Sequence, residues 1–198
     1  DIAIVQAVAR AIHIPFAVGG GISSLNDMER VLLAGAEKIS LNSLAVRNPA
    51  LLAEGVKAFG SQCIVLGMDP VRAPGDPRFA SGYEITIRGF RERTALDALA
   101  WARRAEQLGV GEVVVNSVDA DGTREGYELD LTRMIAGALR IPVVASGGAG
   151  APEHLAQVFT AGGADAAIIA GMIHTGDFTI LQIKDALARQ NIPVRMKW

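Results

Sequence analysis

Two short segments, Gly19-Gly20-Gly21 and Ser146-Gly147-Gly148, each close an apolar run and each precede a helix-like pattern. Glycine lets backbone N–H groups approach a ligand closely, and a helix start adds unsatisfied donors, so both segments are candidate phosphate cradles. A plain strand-to-helix turn would use the same glycines, and one isolated Gly-Gly fits either reading equally. A second pair of small or polar ends, Asn42-Ser43 and Ala170-Gly171, closes the next apolar runs. The candidate substrate-binding residues are therefore Gly20, Gly21, Asn42 and Ser43 on one side and Gly147, Gly148, Ala170 and Gly171 on the other, with Gly122.

Carboxylates end the remaining runs. Asp69 follows Ile64 to Met68, while Asp119 and Asp121 follow Val113 to Val118. An aspartate after a strand serves as often as a helix cap or turn former. Asp69 has no helix start beside it, because Pro70, Pro74, Gly75 and Pro77 open a long loop, and this favours chemistry. Asp121 precedes Gly122-Thr123, so a turn role is stronger there and it is a secondary catalytic candidate.

These ends must be positioned by strands. Six short apolar runs, Phe16 to Val18, Lys38 to Leu41, Cys63 to Met68, Glu112 to Ser117, Val143 to Ala145 and Ala166 to Ile169, alternate with amphipathic stretches. That pattern predicts repeated βα units around a parallel sheet, with Cys63 as a small buried strand residue. Ser24 with Asp27 reads as a capping box, Asn48-Pro49 as an N-cap and first turn, Thr94 as a helix start and Asp130 as a cap. Two further helices are expected to begin near Pro152 and Phe178.

The chain repeats itself. Ile14-Pro15-Phe16-Ala17-Val18-Gly19-Gly20-Gly21, a helix, then Ala34-Gly35-Ala36-Glu37-Lys38 matches Ile141-Pro142-Val143-Val144-Ala145-Ser146-Gly147-Gly148, a helix, then Ala161-Gly162-Gly163-Ala164-Asp165. The offset of about 127 residues is close to four units of ~31 residues, an eighth of a typical ~250-residue (β/α)₈ barrel. The expectation is a single TIM (β/α)₈ barrel domain over residues 1–198, holding roughly six of the eight units, strands three to eight. A barrel short of two strands would expose its edges and its apolar interior, favouring self-association. Two repeated glycine sites where barrels bind phosphate imply a substrate with two phosphates.

Composition removes other classes. The 198 residues are 50% hydrophobic and 20% charged, with a formal net charge of -2, which offers no basic face to nucleic acid. One cysteine cannot form an internal disulfide, and no apolar run reaches bilayer length, so a cytoplasmic protein with no membrane partner is expected. His13, His154 and His174 lack metal spacing, with His154 expected to face solvent, so no metal is expected. Neither a hydrolase triad nor a dinucleotide fingerprint is present, and no cofactor is expected.

Taken together, Val18-Gly19-Gly20-Gly21-Ile22, Lys38 to Ser43, Phe59 to Cys63, Asn116 to Thr123 with Gly126-Tyr127, and Ala145 to Gly150 resemble the cyclase subunit of imidazole glycerol phosphate synthase. The resemblance runs the length of the chain, with no counterpart for about two N-terminal βα units, roughly sixty residues. It implies a barrel of histidine biosynthesis that receives ammonia from a glutamine amidotransferase. The bisphosphorylated formimino aminoimidazole carboxamide ribonucleotide would be cleaved and cyclised to imidazole glycerol phosphate and aminoimidazole carboxamide ribonucleotide. Asp69 matches one of the family's two general acid/base aspartates, the other belonging to strand one. Lys38 and Glu112 match charged residues of its ammonia gate, and Glu37 and Gln62 lie on the same rim as candidate docking contacts. Gly171 stands where the family often has Ser. The sister isomerase of the same pathway and a non-catalytic barrel fragment are the competing readings.

Overall fold

The computed structural model describes residues 1–196. Helix α1 (Ile2–Ala11) starts where the Asp1 carboxylate accepts the Ala3 N–H. Six βα units follow the same plan, strand then helix. They begin with β1 (Ala17–Gly19), α2 (Leu25–Leu33), β2 (Lys38–Leu41), the short α3 (Ser43–Arg47) and α4 (Ala50–Phe59). After β3 (Ile64–Arg72) the chain inserts β4 (Tyr83–Ile87) and β5 (Glu92–Asp97) before α5 (Ala98–Gln107). The rest are β6 (Glu112–Asn116), α6 (Leu129–Ala138), β7 (Val143–Ser146), α7 (Pro152–Thr160), β8 (Ala166–Ala167), α8 (Gly171–His174) and α9 (Ile180–Arg189).

Six strands form one parallel ladder in the order β1-β2-β3-β6-β7-β8, so chain neighbours are sheet neighbours once the β4–β5 insertion is set aside. Alternate side chains point to opposite faces. Ile39, Leu41, Ile64, Leu66, Met68, Val113, Val115 and Val143 point outward into a core with Met28, Leu52, Trp101, Leu131 and Ile135 of the helices. A second core, with Ala145, Leu155, Val158, Met172, Ile183 and Leu187, covers the β7 end. Each such large side chain contributes about 1.5–3 kcal/mol on full burial, so the convex face holds the fold together.

The opposite face is different. In the same register it carries Lys38, Ser40, Gly67, Asp69, Glu112, Asn116 and Ser146, with Val65 and Val144 as its buried apolar residues. Lys38 of β2 and Glu112 of β6 form an ion pair across the start of the intervening β3, which requires the sheet to curl toward this face. The result is a curled parallel α/β sheet with helices on its convex side, consistent with a (β/α)₈ barrel. The interior expected to be apolar is instead largely small and polar.

Several local readings are corrected. The loop expected directly after Asp69 opens only at Ala73: β3 continues through Pro70 to Arg72 and pairs antiparallel with β4, matching Asp69 to Thr86 and Arg72 to Tyr83. Proline is tolerated because this stretch lies past the parallel ladder, where its missing N–H removes no bond from β6. Thr94 lies in β5, and α5 starts four residues later, with Asp97 accepting the Ala100 N–H. Glu128 rather than Asp130 occupies the α6 cap position, and Asp130 falls in the first turn. Asn48 is displaced by Pro49 as the α4 cap. Asp27 reaches back to the Ser23 N–H and hydroxyl rather than to Ser24, while Ser24 caps Asp27 as expected. Cys63 ends a 3-10 turn before β3 and is half-buried.

The hairpin is fastened to β3 by polar groups. The Thr86 hydroxyl, 2% exposed, donates to the Asp69 carbonyl oxygen at 2.8 Å. Buried Glu84 pairs with Arg93 at 2.6 Å and accepts the Ala95 N–H at 2.9 Å. Thr86→Val keeps the shape but removes the donor to a buried carbonyl, and is expected to cost about 1–3 kcal/mol in urea unfolding. A change below a few tenths would show that water replaces the hydroxyl there.

Candidate functional site

Alternation along β2, β3 and β6 brings Asn42, Asp69 and Asn116 together at the C-terminal ends of three adjacent strands. Asn42 Nδ2 donates to Asp69 Oδ2 at 2.7 Å, and Asn116 Nδ2 donates to Oδ1 at 3.4 Å. Asp69 is 8% exposed. Burial is the leading influence on its acidity and raises its pKa, the two amides oppose this, and the nearby Asp121 charge adds to the rise. A carboxyl held above its usual range is suited to exchanging protons. The Asn42 Oδ1 atom is buried without a partner, leaving an acceptor beside the carboxylate.

Two cavities flank this group. The first, about 420 Å³, is lined by Gly19 to Ser23, Ser40 to Leu44 and Arg47, and so unites Gly20, Gly21, Asn42 and Ser43. The second, about 210 Å³, unites Gly122, Gly147, Gly148, Ala170 and Gly171 with Asp121, Arg124, Ser146, Ala149, Ile168 and Thr175. Asp121 thus stands in the second cavity while its charge still acts on Asp69. Asp119 is placed elsewhere, its Oδ2 accepting the Arg72 N–H at 2.8 Å beyond the end of the parallel sheet.

The glycines of the two cavities are used differently. Gly20 and Gly21 have φ of +85° and +71° with open space where a Cβ would stand, so their backbones face the cavity. At Gly148, φ +99°, an added Cβ would lie 2.0 Å from the Gly126 carbonyl oxygen, and Gly126 N–H donates to the Gly148 carbonyl at 2.8 Å. The tight-turn role is therefore present at the second site, in glycines that also line its cavity. His154 belongs to this packing: it is half-buried rather than facing solvent, its Nδ1 accepting the Gly150 N–H at 3.1 Å.

At the opposite end of the strands lies the Lys38–Glu112 ion pair. Glu37 Oε2 accepts the Phe16 N–H at 2.8 Å, and Gln62 Nε2 donates to the Phe59 carbonyl at 3.2 Å, both on an exposed rim. Among the described residues no group of His, Cys, Asp and Glu could hold a metal ion, and no helix is long and apolar enough to cross a membrane.

Sequence reasoning missed Asn116, Arg47, Arg124 and Thr175 as site residues. Asn116 was legible in principle, being the polar residue at an inward position of the Val113 to Val115 run. Arg124 carried no such signal, because its pairing with Asp177 comes from a distant segment.

The raised Asp69 pKa has a stability consequence. The folded protein binds a proton more tightly there than the unfolded chain does, so stability falls as pH rises from the ordinary carboxylate range through the folded-state value. Asp69→Asn removes this dependence. Its stability relative to the parent, followed by thermal unfolding, is expected to improve as pH rises from about 4 to neutrality. A difference that does not change with pH would remove burial as the dominant influence.

Comparison with known proteins agrees with this geometry. A family model described as histidine biosynthesis protein matches residues 1–179. The imidazole glycerol phosphate synthase subunit HisF of Syntrophobacter fumaroxidans is 58% identical over 195 residues, covering 98% of this chain and 75% of that protein. The subunits of the same name from Desulfatibacillum aliphaticivorans and Desulfovibrio desulfuricans are 56% identical over 192 residues and 55% over 195. They are covered to 74% and 75% of their lengths. With a curled parallel sheet, repeat-related glycine cavities and this extent of identity, the chain belongs to the histidine biosynthesis protein family.

Proposed function

We propose that this chain acts as the cyclase subunit of an imidazole glycerol phosphate synthase in histidine biosynthesis. Relatives sharing 52% to 58% of their residues carry that name, which favours the cyclase over the sister isomerase. The observation that carries the chemical reading is a buried carboxyl, Asp69, set between two glycine-lined cavities at repeat-related strand ends. A substrate with a phosphate at each end would span them and bring its centre over the carboxyl. The six parallel strands are read as strands three to eight of the (β/α)₈ barrel.

In this reading ammonia reaches the substrate from a HisH-type glutamine amidotransferase. Addition of ammonia, carbon–nitrogen cleavage and ring closure each move protons, and Asp69 gives or takes them while Asn42 and Asn116 hold it in place. Asp121 is the secondary candidate, on the wall of the second cavity. Lys38 and Glu112 would close the far end of the strands as the ammonia gate, with Glu37 and Gln62 meeting the amidotransferase. The inner face between gate and carboxyl is lined by small groups, Ser40 and Gly67 among them, which supports passage of a molecule as small as ammonia.

Two measurements test this. With ammonium salts as nitrogen donor, Asp69→Asn is expected to lower kcat by at least ~100-fold while leaving phosphate binding nearly unchanged. Unchanged turnover removes Asp69 from the mechanism. Co-crystals grown with phosphate should show both cavities filled, and filling of one alone at high phosphate would remove the two-phosphate argument.

A further inference from the structure

The first cavity differs from the second in a way that the repeat makes visible. Asn42 and Ser43 open α3 as Ala170 and Gly171 open α8, and four residues on the matching positions are Arg47 and Thr175. Both line their cavities. Only the first cavity therefore has a guanidinium at this position.

Arg47 is not left to itself. Its Nη2 lies 3.5 Å from Glu92 Oε2, and the same oxygen lies 3.6 Å from Arg88 Nη1. One carboxylate thus faces two guanidinium groups, leaving an excess positive charge at the rim. Glu92 and Arg88 flank the turn that joins β4 to β5, a turn with left-handed backbone at Arg88 (φ +58°), Gly89 and Phe90 (φ +70°). Two non-glycine residues in that region are costly and persist only where other contacts hold them. Here the Arg88 N–H donates to Ser43 Oγ at 2.9 Å, which ties the turn to the cavity. The Ser43 hydroxyl accepts that bond and keeps its own proton free to donate.

We propose that Arg47 binds the phosphate of the first cavity, and that Glu92 on the hairpin turn competes with that phosphate for it. The inference deepens the proposed function by assigning to the first phosphate end a residue that the second lacks at the matching position. Long, weak pairs at half-exposed positions are easily exchanged, whereas a phosphate offers Arg47 short charge-assisted bonds. Arrival of phosphate therefore transfers Arg47 from Glu92 to the ligand, while the Arg88 N–H stays on Ser43 Oγ and keeps the turn in place.

The opposite sign of two substitutions tests this against a merely structural ion pair. Inorganic phosphate is titrated into the protein, with binding read at the amide resonances of Gly20 and Gly21 for the first cavity and of Gly122 and Gly171 for the second. Arg47→Gln is expected to weaken the first site about tenfold, Arg47→Lys less, and Glu92→Gln to tighten it about two- to fivefold, with the second site unmoved. If Glu92→Gln weakens the first site as Arg47→Gln does, the pair only anchors the hairpin and the proposal fails. It fails equally if Arg47→Gln changes nothing. The titration needs no turnover, so these failures are separate from failure of the cyclase reading. That reading is lost if the parent protein shows no phosphate response at Gly20 and Gly21, or no turnover with ammonia.

Discussion

A carboxyl group shielded from more than nine-tenths of its solvent contact persists at the centre of this sheet because amides on both neighbouring strands donate to it. The Asp69 arrangement depends on the parallel register: β2 and β6 must flank β3 with their polar ends level, or one amide falls out of reach. A slip of one residue would turn Asn42 or Asn116 toward the helices and put an apolar side chain in its place. The convex core therefore has a second task beside stability, since the packing of Ile39, Leu41, Leu66, Met68, Val113 and Val115 against the helices locks that register.

The same alternation separates the labour of the two faces. Outward positions are mostly large and apolar, and inward ones are mostly small or polar, with Val65 and Val144 the buried exceptions, so the stabilising burial is concentrated on the convex side. Barrels of this architecture usually fill the interior with branched residues. Here Ser40 and Gly67 stand side by side, with a Cβ built on Gly67 falling 3.1 Å from Ser40 Oγ. The Lys38–Glu112 pair occupies the start of the strands, where a solvated charge costs little, and joins two strands that are not direct neighbours.

The hairpin β4–β5 breaks the repeat and gives the site its asymmetry. By extending β3 beyond the parallel ladder it shields Asp69 on one side, and its turn reaches the first cavity at Ser43. The second cavity has no such arm. It is built instead by backbone packing of the loop after β6 against the loop after β7, with Tyr127 Oη donating to the Ile168 carbonyl at 2.9 Å and Arg124 paired with Asp177. One half of the site is thus assembled from an inserted element and the other from interlocked loops.

The strand and helix alternation, the repeat and the two glycine sites were all readable in the sequence, because each is a local pattern imposed by period and by backbone freedom. Asp69 was legible as a carboxylate at a strand end, though for a reason that proved partly wrong: Pro70 suggested a loop where the chain continues as a strand to Arg72, and the loop of Pro74 and Pro77 opens only beyond it. The hairpin escaped because Thr94 to Leu96 fits a helix start as well as a strand, and only pairing with β4 decides between them. Tertiary structure alone decided which residues meet. Asn116 joins Asp69, Arg47 joins Glu92, and Arg124 joins Asp177 across sequence gaps that no local rule spans. The raised pKa of Asp69 belongs to the same class, because burial and neighbouring charge are properties of the folded surroundings and not of the residue.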